Sequence, residues 1–477
     1  MVEPSIRVST VEMHRRRLLF LSALLFAFGI LLMMRLVQWQ IIEHPQLRAL
    51  AQARHSKKTE IAPQRGEIRD RNGRVLAVSL RNDEVVGDPL FFQQQTPAVQ
   101  QAILARVAPI LGIPPEHLRQ QLLAGSSHYT RIKSSVPLTV SKALLNAYVS
   151  PAITIVPKVQ RVYPSGALLA HILGFLNAEG NGIGIEGSYD EHLRGIPGQK
   201  LFEEKYGWGL PKVPVITPPQ HGADITLTID INIQYMVERE LEKVLEAERT
   251  MTGTIVVMDP KTGEIIAMAG RPTFDPNAYS DVPPAVYSNP AITDPWEPGS
   301  IVKILTIAAA LDTGRITPKS TFNARGCMKY RGIEICNRDK KAYGTITPAQ
   351  ILQYSSNVGI VQVADVLSTT AFYTYMHGAF GIGVKTGIDL PFESAGSLRM
   401  PGTLLWNRID LATHSYGQGF AATPIQMTTV VAAIANRGVM MRPYTVIGVH
   451  GQSDNPSGPS PLRRVIRSET ASLVTEM

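Results

Sequence analysis

The sequence predicts an α+β protein with a single N-terminal transmembrane helix, a middle region of strands and short helices, and a C-terminal domain of sheet flanked by helices. Three observations carry this. Leu18–Ile42 is apolar over a length that crosses a bilayer, with Arg35 its one charge. Asp70-Arg71-Asn72-Gly73 is turn chemistry between alternating stretches. Ile233, Met236, Val237, Leu241, Val244 and Leu245 recur at helical spacing, and two strand-like runs follow them directly.

A cleaved signal peptide has a shorter apolar region with a small-residue site close behind it. Here the Ala-x-Ala patterns at Ala49–Ala51 and Ala51–Ala53 come too far downstream, so the run reads as a retained anchor. Arg15, Arg16 and Arg17 abut the span and favour a cytoplasmic N-terminus. Arg48, Arg54, Lys57 and Lys58 on the other side make the charge count a weak vote. No second apolar span follows, so the downstream region lies on one side of the membrane.

Beyond the anchor, Ala62–Ser79 reads as strand–turn–strand, and residues 97–125 as two helices broken at Gly112-Ile113-Pro114-Pro115. The glycines of 174–198 match neither nucleotide-binding spacing and read as loops and tight turns. A boundary falls near Pro218–Gly222. A helix is expected from Ile231 to about Glu248, then strands at Gly253–Met258 and Glu264–Ala269.

With 477 residues, 44% hydrophobic and 18% charged, the chain supports two or three folded domains and no disordered tract. Its net charge of +8 and pI near 9.3 come without a basic stripe interleaved with aromatics, so nucleic acid is not an expected partner. Cys327 and Cys336, nine residues apart, lack zinc-ligand spacing. On the residues alone, one disulfide across a loop and two free thiols both stand.

The strongest chemical candidate is Ser300-Ile301-Val302-Lys303, preceded by Trp296-Glu297-Pro298-Gly299 and followed by the helix former Ile304–Leu311. Ser300 falls at a helix start, where unpaired N–H groups favour negative charge, and Lys303 shares its face. A lysine in an apolar pocket has a lowered pKa and serves as a base. A bare Ser-x-x-Lys also fits an N-cap serine beside a solvated lysine. Ser355-Ser356-Asn357 lies at a junction between two helical stretches. There Ser355 is placed to relay a proton and Asn357 to hold an amide, although a polar helix junction explains the triplet equally. Lys385-Thr386-Gly387 and Ser453-Asp454-Asn455 resemble serine-acyltransferase triplets but read as loop residues.

Longer boxes add a family. RGEIRDRNGRVLA (65–77), RVYPSGALLAHILGF (161–175), GIEGSYDEHLRGIPG (184–198), LTID with Gln234, FDPN (274–277), EPGSIVK (297–303), SSN (355–357), TGIDLP (386–391) and YGQGFAATPIQM (416–427) run in order. Together they resemble the class B penicillin-binding proteins, monofunctional D,D-transpeptidases of peptidoglycan synthesis. The resemblance implies a cytoplasmic tail (1–17), an anchor (18–42), an elongated pedestal domain (43–222) and a transpeptidase domain (223–477), the last two outside the cytoplasmic membrane. It implies Ser300 as nucleophile, Lys303 as its base, Ser355 as proton shuttle and Asn357 as donor-peptide contact. It implies no metal or organic cofactor, and acylation of Ser300 by β-lactams. By resemblance, the implied partner is a polytopic glycosyltransferase of the shape, elongation, division and sporulation family; the pedestal resembles only the class B type, and no glycosyltransferase domain is visible here. The pedestal boxes are closer to division and sporulation members.

One departure stands out. The family's third motif, Lys-Thr/Ser-Gly, lies on a strand beyond a helix that here begins at Ser468, an N-cap candidate. Lys385-Thr386-Gly387 falls in the TGIDLP loop and does not replace it. The expectation is therefore a transpeptidase domain lacking its last strands, and an incomplete enzyme as the sequence stands. Two other readings are a carboxypeptidase or penicillin-hydrolysing relative with the same Ser300/Lys303 pair, and a non-catalytic membrane scaffold.

Overall fold

The computed structural model describes residues 7–47, 56–147, 151–177, 179–203, 215–450 and 458–477. Ala49, Ala51, Ala53, Arg48, Arg54 and Ser453-Asp454-Asn455 lie outside them. The chain divides into two compact units, Met1–Pro63 with Ile196–Gln220, and Gln64–Gly195 with His221–Met477.

In the first unit the apolar run is helical over Arg7–Val37 and continues as a wider turn over Gln38–Ile42. The stretch Met13–Ile42 has a mean hydropathy of 2.3, long and apolar enough to cross a membrane. Arg35 is managed locally. Its guanidinium donates to Gln38 Oε1 (2.8 Å) and lies 5.1 Å from the centre of the Trp39 ring. The unit also contains an antiparallel sheet of Ser56–Ile61, Gly198–Glu203 and Val215–Thr217.

In the second unit a seven-stranded sheet is built on the long strand Val75–Gly87, which pairs with Ile68–Arg69, Thr130–Pro137, Ile153–Val156 and Val159–Val162. The Asp70–Gly73 turn forms as expected. Asp70 is buried, and its Oδ1 accepts from the N–H groups of Asn72 (2.9 Å) and Arg74 (2.8 Å). The helices Pro97–Leu111 and Pro115–Ala124 break where the sequence places Gly112–Pro115. The Gly-rich segment departs from a pure loop, because Gly184–Ser188 and Asp190–Leu193 each form a short helical turn. The reason is a buried charge cluster. Arg65 donates to Glu186 (2.7 Å) and Asp190 (2.6 Å), and Arg161 donates to the other Glu186 oxygen (2.6 Å). Three boxes distant in sequence thus meet at one carboxylate, which costs desolvation and demands full pairing.

The helix Ile231–Glu248 starts at Asp230, whose side chain caps the N–H groups of Asn232 and Ile233. Buried Gln234 clamps it to the strand Ile265–Arg271. Its Nε2 donates to Met268 O (2.9 Å) and its Oε1 accepts from Met268 N (2.8 Å). That strand pairs with Gly253–Met258, on which the helix Pro424–Ala435 packs. The strand Val446–Val449 crosses back to join Ile225–Leu227 in the seven-stranded sheet. Asp389 secures it, accepting from Thr445 N, Thr445 Oγ1, Val446 N and Tyr189 OH.

The centre of the C-terminal core is the helix Val302–Asp312, buried on all sides from Leu305 to Leu311. Its small residues Ala308, Ala309 and Ala310 let the helices Asn357–Leu367, Asp410–Ser415 and Ser468–Glu476 approach closely. Ser468 is not the cap of the last helix. Arg467 holds that position, its N–H bonded to Asp312 Oδ1 (2.9 Å), and no side chain caps the first turn.

Candidate active site

Ser300 lies in a single 3₁₀ turn, Gly299–Ile301, that opens onto the helix Val302–Asp312. The helical i, i+3 relation points Lys303 back at it, with Nζ 3.0 Å from Ser300 Oγ. Ser300 is exposed, whereas Lys303 is 1% exposed. Lys303 Nζ also donates to Ser355 O (2.7 Å) and Ser355 Oγ (2.9 Å), and the two serine hydroxyls are 2.8 Å apart. Three partners use all three ammonium donors.

No carboxylate contacts Lys303 among the described residues, so burial acts unopposed and lowers its pKa to about 8. At pH 7.5 roughly a quarter of such lysines are neutral, against about 0.1% at the ordinary value. A neutral Nζ carries a lone pair, and the hydroxyls of Ser300 and Ser355 are both in reach to donate to it.

Ser355 owes its position to a left-handed backbone, φ +51°. It ends the helix Pro348–Gln353, with its N–H on Leu352 O (3.1 Å) and that of Ser356 on Ile351 O (3.0 Å). This reversal aims both its carbonyl and its hydroxyl at Lys303. Ser356 caps the next helix, Asn357–Leu367, accepting from Gly359 N (3.0 Å). Asn357 does not touch Ser300 or Lys303. Its Nδ2 donates to Cys336 O (3.0 Å), and its Oδ1 has no partner among the described residues.

Three features are either left open by the sequence or invisible in it. Cys327 and Cys336 are joined by a disulfide, at paired positions of the hairpin Cys327–Tyr330/Ile333–Cys336. Asn337, next to it, accepts from Ser356 Oγ (3.0 Å) and Val358 N (3.2 Å), tying the hairpin to the triplet. The box 416–419 braces the Ser300 turn, since Gly299 N donates to Gly417 O (2.9 Å) and Gly419 N to Glu297 Oε1 (2.8 Å). Buried His414 supports that brace. Its Nδ1 is 2.8 Å from Tyr373 OH and its Nε2 3.1 Å from Gly419 O. Burial lowers its pKa to about 4, so it stays neutral, and Tyr373 in turn accepts from Trp406 Nε1 (2.8 Å). The spacing of Cys327 and Cys336 leaves their pairing open, and the Asn337–Ser356, Tyr373–His414, Gly299–Gly417 and Glu297–Gly419 contacts join segments that no local pattern connects.

Lys385-Thr386-Gly387 lies away from this centre in a loop, with Thr386 N and Oγ1 both 2.6 Å from Glu393 Oε1. The strand Gly253–Met258 pairs only with Ile265–Arg271 among the described residues. An open cleft of about 570 Å³ borders it, lined by Val256, Met258, Trp296, Ile301, Met427 and Val431 among others.

A buried, unpaired lysine between two serine hydroxyls is the equipment of a serine acyltransferase, and comparisons with known proteins agree. Residues 253–477 match the penicillin binding protein transpeptidase domain, and residues 60–227 the penicillin-binding protein dimerisation domain. Stage V sporulation protein D of Bacillus subtilis is 33% identical over 98% of this chain and 72% of its own length. The chain belongs to the class B penicillin-binding proteins. A second member of this family, peptidoglycan D,D-transpeptidase FtsI of Escherichia coli, is 31% identical over 90% of this chain and 71% of its own. A peptidoglycan synthetase from Bifidobacterium adolescentis superposes with a TM-score of 0.68 at 26% identity, covering 88% of this chain and 80% of that one. Membership makes this chain a serine-type transpeptidase of the penicillin-binding class.

Proposed function

We propose that the chain crosslinks peptidoglycan through an acyl-enzyme on Ser300, held at the cytoplasmic membrane by its N-terminal helix. The supporting observation is Lys303, buried without a carboxylate and bonded to both Ser300 and Ser355. Neutral Lys303 takes the Ser300 proton as Oγ attacks the penultimate D-Ala carbonyl of a stem peptide. The tetrahedral intermediate then collapses, the C–N bond breaks, and the proton returns through Ser355 Oγ to the departing D-Ala amine. An amine on a neighbouring stem peptide attacks the ester and loses its proton to Lys303, which passes it to Ser300 Oγ as the ester C–O bond breaks and the new amide forms. Asn357 Oδ1, with its Nδ2 engaged by Cys336, accepts from a donor-peptide N–H. A β-lactam acylates Ser300 by the same first step.

By resemblance, the N-terminus is cytoplasmic, the remainder extracytoplasmic, and the partner a polytopic glycosyltransferase that polymerises the glycan. Donor and acceptor stem peptides incubated with the full-length protein test the reaction. A crosslinked dimer absent from the Ser300→Ala variant supports transfer. Hydrolysed donor without dimer makes the chain a carboxypeptidase instead.

A further inference from the structure

We propose that the hairpin before Ser355 is a docking strip for free carboxylates of the stem peptides, an assignment that rests on the crosslinking reading above. The segment carries Arg325, Lys329, Arg331, Arg338, Lys340 and Lys341 against only Glu334 and Asp339. All six cations are exposed, and none forms an ion pair with a carboxylate among the described residues. Asp339 is already engaged by Lys341 N (3.0 Å) and Tyr343 OH (2.9 Å). The excess positive charge is therefore free for a ligand.

The strip is also rigid and joined to the reaction centre. The Cys327–Cys336 disulfide closes the hairpin, and Tyr330 OH donates to Asp365 on the helix Asn357–Leu367 (2.7 Å). Asn337 Nδ2 donates to Arg325 O (3.1 Å) and Lys341 O (2.9 Å), while its Oδ1 holds Ser356 and Val358. An aromatic step bridges the last gap. Tyr354, the neighbour of Ser355, stacks on Tyr343 with centroids 4.8 Å apart and planes at 9°, and Lys341 Nζ sits 5.9 Å from the Tyr343 ring centre. Flat rings followed by unpaired cations suit a peptide with acidic side groups lying across the strip toward Ser300. Exposed ion pairs are individually weak, but three made together amount to about ten-fold in affinity.

The test compares stem pentapeptides whose side carboxylates are free or amidated, with the full-length protein and its Arg331→Gln/Lys340→Gln/Lys341→Gln variant. Each crosslinking rate is divided by that protein's penicillin acylation rate, which reports on the Ser300 site itself. The wild type should use the free-carboxylate peptide about ten-fold better at low salt, shrinking to about two-fold in the variant and in 0.5 M salt. Lys319→Gln, an exposed cation elsewhere, should keep the wild-type preference. Equal use of both peptides by the wild type, or an undiminished preference in the variant, overturns the strip. Equal use together with competition by polyphosphate makes it a polyanion site and likewise overturns it. Penicillin acylation without any crosslinked product overturns the crosslinking reading, and the strip with it.

Discussion

Gly417 lies against Gly299 so closely that a β-carbon on it would stand 2.1 Å from the Gly299 carbonyl oxygen. Its φ of +84° adds a second reason for glycine. The turn that carries Ser300 is therefore positioned by a segment more than a hundred residues away. Gly417→Ala should displace Ser300 before it unfolds the domain. The expected result is penicillin acylation slowed about 10²-fold, with a far-UV spectrum like that of the wild type. Stopped-flow acylation beside circular dichroism checks this.

With Lys303 as the proposed base, acylation should depend on pH. Its folded pKa of about 8 lies below the ordinary lysine value, so the base form accumulates as pH rises through 8. Acylation kcat/KM should climb about ten-fold per pH unit below 7.5 and level off above about 8.5. Lys303→Arg should cost about 10²–10⁴-fold and abolish that limb. The linkage to stability has the same direction. The folded state disfavours the charged form, so destabilisation is full below pH 8 and relieved as pH rises toward the unfolded value near 10.4.

Ser355 separates backbone from hydroxyl. At φ +51° glycine fits the main chain without strain, whereas alanine retains the β-carbon and its cost of about 1 kcal/mol. Ser355→Gly should match the wild type in melting temperature or exceed it, and Ser355→Ala should not. Both should lose penicillin acylation by about 10²-fold if the hydroxyl relays the proton. Thermal melts beside acylation rates decide.

Glu84 governs the acid limb of the middle region. Lys158 and Arg131 beside its buried carboxyl lower its pKa to about 2. A depressed carboxylate contributes stability that is present above its unfolded value and lost as pH falls. Melting temperature should therefore drop between about pH 4.5 and 2. Removing both cations, Arg131→Ala/Lys158→Ala, should flatten that part of the profile.

Much of this architecture is legible where the cause is local. Helical spacing from Ile233 to Leu245 and the cap at Asp230 define one helix, and the i, i+3 rule joins Lys303 to Ser300. Turn chemistry locates Asp70–Gly73 and the break at Gly112–Pro115. The parts that stay hidden depend on distance. A nine-residue spacing does not separate a disulfide from two thiols, and only the hairpin register puts Cys327 opposite Cys336. Asn337, His414 and Gly417 act on partners brought near by folding, so no periodicity announces them. The turns within 184–193 form because Glu186 must meet Arg65 and Arg161, a tertiary demand that overrides a glycine-rich local sequence. Ser468 looks like a cap by type, yet Arg467 takes the place because Asp312 holds its N–H.

The proposed reaction stands on Ser300 as the nucleophile. Intact-mass and peptide-mapping spectrometry of the full-length protein after exposure to penicillin tests it most directly. One covalent adduct is expected on the tryptic peptide that ends at Lys303, carried by Ser300 and absent from Ser300→Ala. An adduct on any other residue, or one that persists undiminished in Ser300→Ala, would contradict it.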